Sequence, residues 1–455
     1  MLKVMTSAGS RWPAILPGNR HSDIWTAYLE LVRCERLRED AFWAGQDEQL
    51  IELMQHCSNN VPFYRDRWNR GELFGVDELK EFPILTRSEL AQNLDQLLAD
   101  RLPAGHQLMG SRYTSGSTGT PVEVKTTNMT ALWHSAMYLR SLEWGGLESD
   151  RSMAEIRFYE PHVAKELQRG LMVHYIVPGF AGFLKMGGGA VMDVHVSPVL
   201  QMEWLRGVRP DYLVSYPSNL AALVHQNNKA EKKLAIKRVV SMSEELTEEE
   251  QQAIEHSFGC RVVNVYSSHE AGYIASPCEE NSSLLHVYEE NVVLEIVDDD
   301  GKPCPPGQYG RVLLTTLHNY ATPLVRYDIG DRAAWYHAKC SCGRPHRLIE
   351  RPAGKRHPLF TLPNGTKKNS IGLAAGLRRI GGLRQFRVTQ KSPTRVLLEY
   401  VPIDNEWNGT RSLEAAELIE EFFESREMVS VFSAYSERLP LAMNGKSPHL
   451  VTEVP

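Results

Sequence analysis

Between Ser115 and Thr120 the chain reads Ser-Gly-Ser-Thr-Gly-Thr, four hydroxyl side chains and two glycines in six residues. Glycines let a backbone approach a polyanion closely, and amide N–H groups and hydroxyls donate hydrogen bonds to its oxygens. Ser115, Gly116, Ser117, Thr118, Gly119 and Thr120 are therefore candidate phosphate ligands. No Lys follows the second glycine, which excludes a GxxxxGKS/T loop. Taken alone, so short a run is equally well explained as a Ser/Thr/Gly surface loop. A second grouping is rich in sulfur. Cys340-Ser341-Cys342-Gly343 presents two thiols on one turn, and Cys278 and His286 lie upstream in SPCEENSSLLH. Three thiolates and one imidazole suit a closed tetrahedral Zn²⁺ site of the structural kind. Incidental buried cysteine is the alternative, with His337 and His346 as rival ligands.

These residues need elements to hold them. Residues 20–100 read as helical, broken at Pro62 and Pro83. Between Asp211 and Tyr266, short β-branched runs alternate with helical ones, as consecutive βαβ units do. DYLVSY suits a buried strand, Pro217 opens a helix through SNLAALVHQNN, and KRVVSMS is a second strand. A further helix starts at Thr247, whose hydroxyl can cap the turn while Glu250 reaches back, and it stops near Gly259 before the strand CRVVNVY. Ligands of parallel sheets sit beyond the carboxyl ends of the strands, so the loops SMSEE and YSSHEAG are expected to face one site. From Asn291 the period changes to two, predicting a hairpin of NVVLEIV and RVLLTTL. The expected fold is α/β. A large domain over residues 1–350 carries parallel α/β sheets plus a β subdomain, and a small mobile α+β domain spans 351–455.

The order of these segments resembles the adenylate-forming superfamily of acyl-CoA synthetases, luciferases and peptide-synthetase adenylation domains. The phenylacetate-CoA ligase branch is the most similar, with early segments like VPFYR at 61–65 and FPILTRSEL at 82–90. Residues 264–270, Asn-Val-Tyr-Ser-Ser-His-Glu, match the superfamily pattern N-x-Y-G-x-T-E. The resemblance implies that Tyr266 stacks on adenine and Glu270 helps hold Mg²⁺, roles that a flat ring and a hard carboxylate suit. Ser267 and His269 replace the usual Gly and Thr, so His269 stands where a hydroxyl would contact the α-phosphate. Residues 327–331 resemble Y-x-T-G-D, which implies that Asp331 accepts both ribose hydroxyls. Ser243 and Glu244 stand where the family has a G-E pair lining the adenine pocket. Residues 440–446, Pro-Leu-Ala-Met-Asn-Gly-Lys, keep the Pro, Gly and Lys of P-R-T-x-S-G-K, making Lys446 the catalytic lysine that bridges the attacking carboxylate and the α-phosphate. Arg351 aligns with the hinge Arg, with Lys355 or Arg356 as alternative pivots.

What the resemblance implies is activation of a small carboxylic acid, aryl or arylacetic, by ATP and Mg²⁺, with coenzyme A as co-substrate. An acyl carrier protein's phosphopantetheine arm or an amine are alternative acceptors. Acid-pocket residues are expected from the 216–225 helix and from VPGFAGFLKMGGG, with Tyr216, Phe180 and Gly188 as candidates. The competing class is a nucleotide-binding homologue without catalysis. The formal charge of −6 argues against bulk nucleic-acid binding, and no run of eighteen apolar residues suggests a membrane span. Seven cysteines are too sparse for a disulfide framework, and a cytoplasmic location is expected. Oligomeric state has no signature in the sequence.

Overall fold

Runs of Val, Ile and Tyr separated by well-capped helices build the larger part of this molecule. The computed structural model describes residues 22–353 except 66, 69–75, 114–122, 158, 160, 175–183 and 195. It also describes residues 359–454 except 366, 370–372, 374–375, 378–379, 404–406, 425–428, 437–438 and 440–449. Two compact units are distinguished, Met1–Ala353 and Gly354–Pro455.

In the first unit, the helices Ser22–Cys34 and Glu39–Asn60 precede an antiparallel hairpin of β1 (Leu108–Tyr113) and β2 (Glu123–Thr127). Thr127 ends β2 and caps the helix Asn128–Trp144, its hydroxyl accepting the Thr130 N–H while the Thr130 hydroxyl answers the Thr127 N–H. The strands that follow are β3 (Met153–Arg157), β4 (Leu171–Val173), β5 (Gly189–Asp193), β6 (Tyr212–Ser215), β7 (Arg238–Met242) and β8 (Arg261–Ser268). Next come β9 (Gly272–Cys278), β10 (Asn281–Val287), β11 (Val292–Val297), β12 (Gly310–Thr316), β13 (Tyr327–Ala333) and β14 (Leu348–Ile349).

Nine strands form one sheet in the order β14-β10-β9-β8-β7-β6-β3-β5-β4. Its centre, β5-β3-β6-β7-β8, is parallel. The crossovers run through helices Pro198–Val208, Pro217–Asn228 and Glu248–Phe258, as parallel neighbours require. The two later helices start and stop where the sequence signals them. Pro217 is at the first helical position, and Thr247 and Glu250 form a reciprocal capping box. Gly259 takes the left-handed conformation (φ 64°) that a side chain would disfavour. The expected parallel strands are present as β6, β7 and β8, and the sheet they belong to is mixed at its edges, because β4 on one side and β9, β10 and β14 on the other are antiparallel. Short turns reverse the chain between β8, β9 and β10 and add these strands without a crossover helix.

The expected hairpin is present as β11 and β12, and β13 joins it in a separate three-stranded antiparallel sheet. The buried faces of β11, β12 and β13 share one core with Leu50, Leu53 and Met54 of the helix Glu39–Asn60. In the second unit, strands Leu383–Ser392, Arg395–Pro402, Ser430–Tyr435 and Leu450–Thr452 form a four-stranded sheet. Ile419 and Phe423, within and just past the helix Gly409–Phe422, pack in one core with Phe360, Phe386, Val388 and Leu398. Among the described residues no helix is long and apolar enough to cross a membrane.

Candidate functional site

Three consecutive parallel strands, β6, β7 and β8, deliver chemistry-bearing residues at their carboxyl ends. Tyr216 follows β6 and is the N-cap of the helix Pro217–Asn228, but its side chain does not cap that helix. Glu244, beyond β7, does so instead, its Oε2 accepting the Ser218 N–H at 3.0 Å. A carboxylate there meets both the orphan amides and the positive end of the helix dipole. Ser243 next to it has φ 68°, the left-handed region that favours glycine. That geometry gives a physical reason for the glycine of the superfamily pattern at this place.

At the end of β8 the ladder to β9 shifts register between Tyr266 and Ser267. A bulge of this kind re-aims side chains at the rim of a sheet. Ser267 is half-buried, His269 is exposed, and Glu270 is buried at 8% exposure. Gly272 closes the turn at φ 71°, and a Cβ there would lie 2.4 Å from His134 Nε2. The helix that follows the β1–β2 hairpin is thus seated directly against this turn.

Tyr266 and Asp331 are brought together across two sheets, the Tyr266 hydroxyl donating to Asp331 Oδ2 at 2.9 Å. Burial, then the charge of Asp331, pushes the Tyr266 phenol well above its ordinary range, so it serves as a donor at any physiological pH. Asp331 is set on β13 one residue after Gly330, whose φ of 81° turns the strand. Glu270 has two neighbours of its own. The Tyr327 hydroxyl donates to its Oε1 at 3.4 Å, and Arg87 Nη1 lies 3.7 Å from the same oxygen. One aromatic ring and two carboxylates therefore converge, one carboxylate held by a phenol and the other by a phenol and a guanidinium.

Not every candidate joins them. Gly188 sits at the amino end of β5, its carbonyl accepting the Met153 N–H at 3.0 Å. Because β3 and β5 run parallel and start level, Gly188 lies at the opposite edge of the sheet from Tyr216. Arg351 follows β14, and its carbonyl accepts the Tyr309 hydroxyl at 3.2 Å. Residues 115–120, Phe180, Lys355, Arg356 and Lys446 lie outside the described residues.

The four sulfur and imidazole candidates converge at a separate point. The ligand atoms of Cys278, His286, Cys340 and Cys342 all lie within 4.8 Å of one another. Cys278 Sγ is 3.7 Å from Cys340 Sγ, too far for a disulfide, and Cys342 Sγ is 3.5 Å from His286 Nε2. A tetrahedral ion with metal–sulfur bonds of about 2.3 Å separates its ligands by about 3.8 Å, so the spacing suits one. The rivals are elsewhere: His346 Nε2 is engaged with Glu290 at 3.0 Å, and His337 is exposed.

The sequence pattern of the family described as AMP-binding enzyme matches residues 74–319, more than half of the 455-residue chain. The chain belongs to the AMP-binding enzyme family. Among curated relatives it is 26% identical over 344 residues to the phenylacetate-coenzyme A ligase of Thermus thermophilus, a match covering 70% of each chain. It is also 26% identical over 314 residues to the phenylacetate-coenzyme A ligase of Escherichia coli, covering 64% of this chain and 67% of that protein. Among solved structures, 2-hydroxyisobutyryl-CoA ligase with bound 2-HIB-AMP superimposes with a TM-score of 0.70 at 15% identity, covering 92% of this chain and 91% of the other. An anthranilate CoA ligase with anthranoyl-AMP gives 0.51 over 76% and 68% at 15% identity. At such identities the likeness establishes the fold of the AMP-binding enzymes and no more.

Within this family member, Arg87 and Tyr327 are neighbours of Glu270 that sequence reasoning did not single out. Both had a signal. Tyr327 opens the same five-residue motif as Asp331. Arg87 starts the helix Arg87–Gln92 inside FPILTRSEL, where Thr86 and Glu89 form a capping box that fixes the direction of the first turn.

Proposed function

We propose that this AMP-binding enzyme activates a carboxylic acid, aryl or arylacetic in class, as its acyl-adenylate and passes the acyl group to coenzyme A. The observation that carries this reading is the Tyr266–Asp331 hydrogen bond of 2.9 Å beside a buried Glu270. A ring locked edge-on to a carboxylate presents a stacking face for adenine and, one bond away, an acceptor for ribose hydroxyls. The names of the relatives that resemble the chain support an arylacetic acid.

In the first half-reaction a carboxylate oxygen of the acid attacks the α-phosphorus of ATP, the bond to the β-phosphate oxygen breaks, and pyrophosphate leaves with the electron pair. In the second, the thiol sulfur attacks the acyl carbon, the bond to the AMP oxygen breaks, and the thiol proton passes to solvent. Tyr266 and Asp331 orient the nucleoside, Ser115–Thr120 donate to the phosphates, and His269 donates to the α-phosphate where the family pattern has a hydroxyl. Ser243 and Glu244 shape the loop beside adenine. Lys446 neutralises charge that develops between the carboxylate and the α-phosphate. Glu270 is a buried carboxylate, and as a hard oxygen donor it would fit a Mg²⁺ ligand, with Arg87 and Tyr327 holding its Oε1. The ion, when bound, offsets phosphate charge. Residues 1–350 would bind ATP and acid, and residues 351–455, pivoting at Arg351, would supply Lys446. Cys278, His286, Cys340 and Cys342 would hold a structural Zn²⁺, because the four ligands leave no open position for catalysis.

Acid-dependent exchange of labelled pyrophosphate into ATP tests the first half, and no exchange with any acid in a broad panel overturns the activity. Lys446→Ala should lower exchange by about 100-fold or more while leaving transfer from supplied acyl-AMP to coenzyme A within a few-fold. Equal loss of both refutes the role given to Lys446. Supplied acyl-AMP that reacts with an amine or a carrier arm but not with coenzyme A would reassign the acceptor.

A further inference from the structure

The carboxyl ends of β3 and β6 hold a charged cluster that nucleotide binding does not use. Glu155 and Arg157 share the less buried face of β3. Arg157 Nη1 donates to Glu155 Oε1 at 3.3 Å, and the Tyr159 hydroxyl donates to the same oxygen at 3.2 Å. Register puts Glu155 beside Val214 of β6, so Arg157 stands level with Tyr216, whose phenol hydrogen-bonds the guanidinium. The pairing is incomplete. Among the described residues Arg157 Nε has no hydrogen-bond partner; it is sealed from solvent, while the side chain as a whole is 38% exposed, so the reachable part of the group lies beyond Nε. A guanidinium has five N–H groups in one plane, and among the described residues Glu155 and Tyr216 take only part of the four on its Nη atoms.

The location matters as much as the chemistry. β3 is central in the parallel part of the sheet, between β5 and β6, and ligands of such sheets lie beyond the carboxyl ends of the strands. Tyr216, the acid-pocket candidate, is part of the cluster. A pocket for a plain phenyl or alkyl group needs apolar walls. Here an apolar group would strip water from the half-exposed guanidinium while restoring no bond to it. An oxygen on the ligand would accept from the Nη hydrogens of that guanidinium.

We infer that the acid this chain activates carries a second oxygen function, a hydroxyl, carbonyl or carboxylate remote from the reacting carboxyl, and that Arg157 reads it. The inference rests on the proposed acid activation and narrows its substrate class. Arg157 acts on specificity, with Glu155 and Tyr159 holding its plane. Sites built to hydrogen-bond a substrate oxygen reject analogues lacking it far more strongly than apolar pockets reject an extra methylene.

The test is pyrophosphate release by the full-length enzyme with matched acids: phenylacetate against its hydroxy and carboxy derivatives, and benzoate against its hydroxy derivatives. The expected result is a kcat/KM at least about tenfold higher for an oxygen-bearing member of a pair, with that ratio falling about tenfold or more in Arg157→Met, chiefly through KM. Arg157→Lys, which keeps the charge but loses the planar fork, should fall between the two. Preference for the unsubstituted acids in the wild type overturns the inference while leaving acid activation standing. A ratio unchanged by Arg157→Met overturns it equally, since a merely structural arginine would depress all acids alike. Release with no acid of either kind overturns the activity and the inference together.

Discussion

Asp331 takes a hydrogen bond from a tyrosine in another sheet, and that bond does two jobs at once: it fixes the carboxylate and it fixes the ring. Tyr266→Phe keeps the stacking face and deletes the donor. One hydrogen bond to a charged acceptor is worth about 1.5–3 kcal/mol, so KM for ATP should rise about 10- to 150-fold with the fold intact. An unchanged KM would mean that the bond is idle when nucleotide is bound. His318 is a second single-residue case. Its ring stacks on Trp133 with centroids 4.2 Å apart, and Nε2 lies 2.8 Å from the Glu290 carbonyl oxygen, so the nitrogen donates. Burial lowers its pKa to about 4. The unfolded imidazole binds a proton near pH 6.5 and the folded one does not, so stability is full above that pH and falls as pH drops from about 6.5 to 4, by at most about 3 kcal/mol. His318→Gln should flatten this limb of the urea midpoint against pH. An identical slope in the variant would assign the acid sensitivity to other groups. Tyr266, Glu270 and Asp331 were legible in the sequence because short motifs carry them. The Arg87–Glu270 contact was not, because a salt bridge between distant segments leaves no local pattern.

At the scale of elements, the loop after β7 shows how one residue can conflict with the turn it occupies. Ser243 is held at φ 68°, and a non-glycine residue there costs about 1 kcal/mol. Ser243→Gly relieves that cost but loosens the unfolded chain, and the balance should favour the folded state by about 0.5 kcal/mol, measured as a higher denaturant midpoint. A lower midpoint would show that the Ser243 hydroxyl contributes more than the turn strain costs. Legibility of the elements follows the same local logic. The helix Glu248–Phe258 was readable because Thr247, Glu250 and Gly259 mark both ends, and β6 to β8 because β-branched runs sit between such helices. The antiparallel edge was not readable. β14 is two residues long and is defined by distant pairing, with Leu285 and His286 of β10 on one side and Trp335 on the other. β4 is a three-residue edge strand with exposed Leu171 and Met172, a pattern that period-two reasoning does not select.

At the scale of the whole molecule, the thiol cluster joins the turn at residues 340–343 to β9 and β10, beside the backbone pairing of β10 with β9 and β14. The turn at residues 340–343 is followed by three anchors. Arg344 Nε donates to Glu35 Oε2 at 2.9 Å, His346 meets Glu290, and Arg347 pairs with Glu289. Glu290 is in turn gripped by the buried Arg140 at 2.7 and 3.1 Å, and Glu35 also accepts the Trp144 indole N–H at 2.9 Å. An ion on Cys278, His286, Cys340 and Cys342 would therefore brace β9, β10 and the turn, and through Glu35 the first helix as well. The sequence named the four candidate ligands but not this bracing, since Glu35, Arg140 and Glu290 are unremarkable charges until folding brings them together. Purified protein should carry about one equivalent of zinc, and its removal should lower the thermal midpoint by about 5–10 °C, the size expected when a few kcal/mol are lost from a unit this large. Hydrogen exchange should then quicken at residues 336–349 and in the helix Ser22–Cys34, while the second unit, whose core shares no residue with the cluster, keeps its protection. Cys340→Ser should reproduce the loss without chelator. Zinc bound at full stoichiometry in that variant, with an unchanged midpoint, would remove the ion from the account of stability and leave the three thiols as packed core.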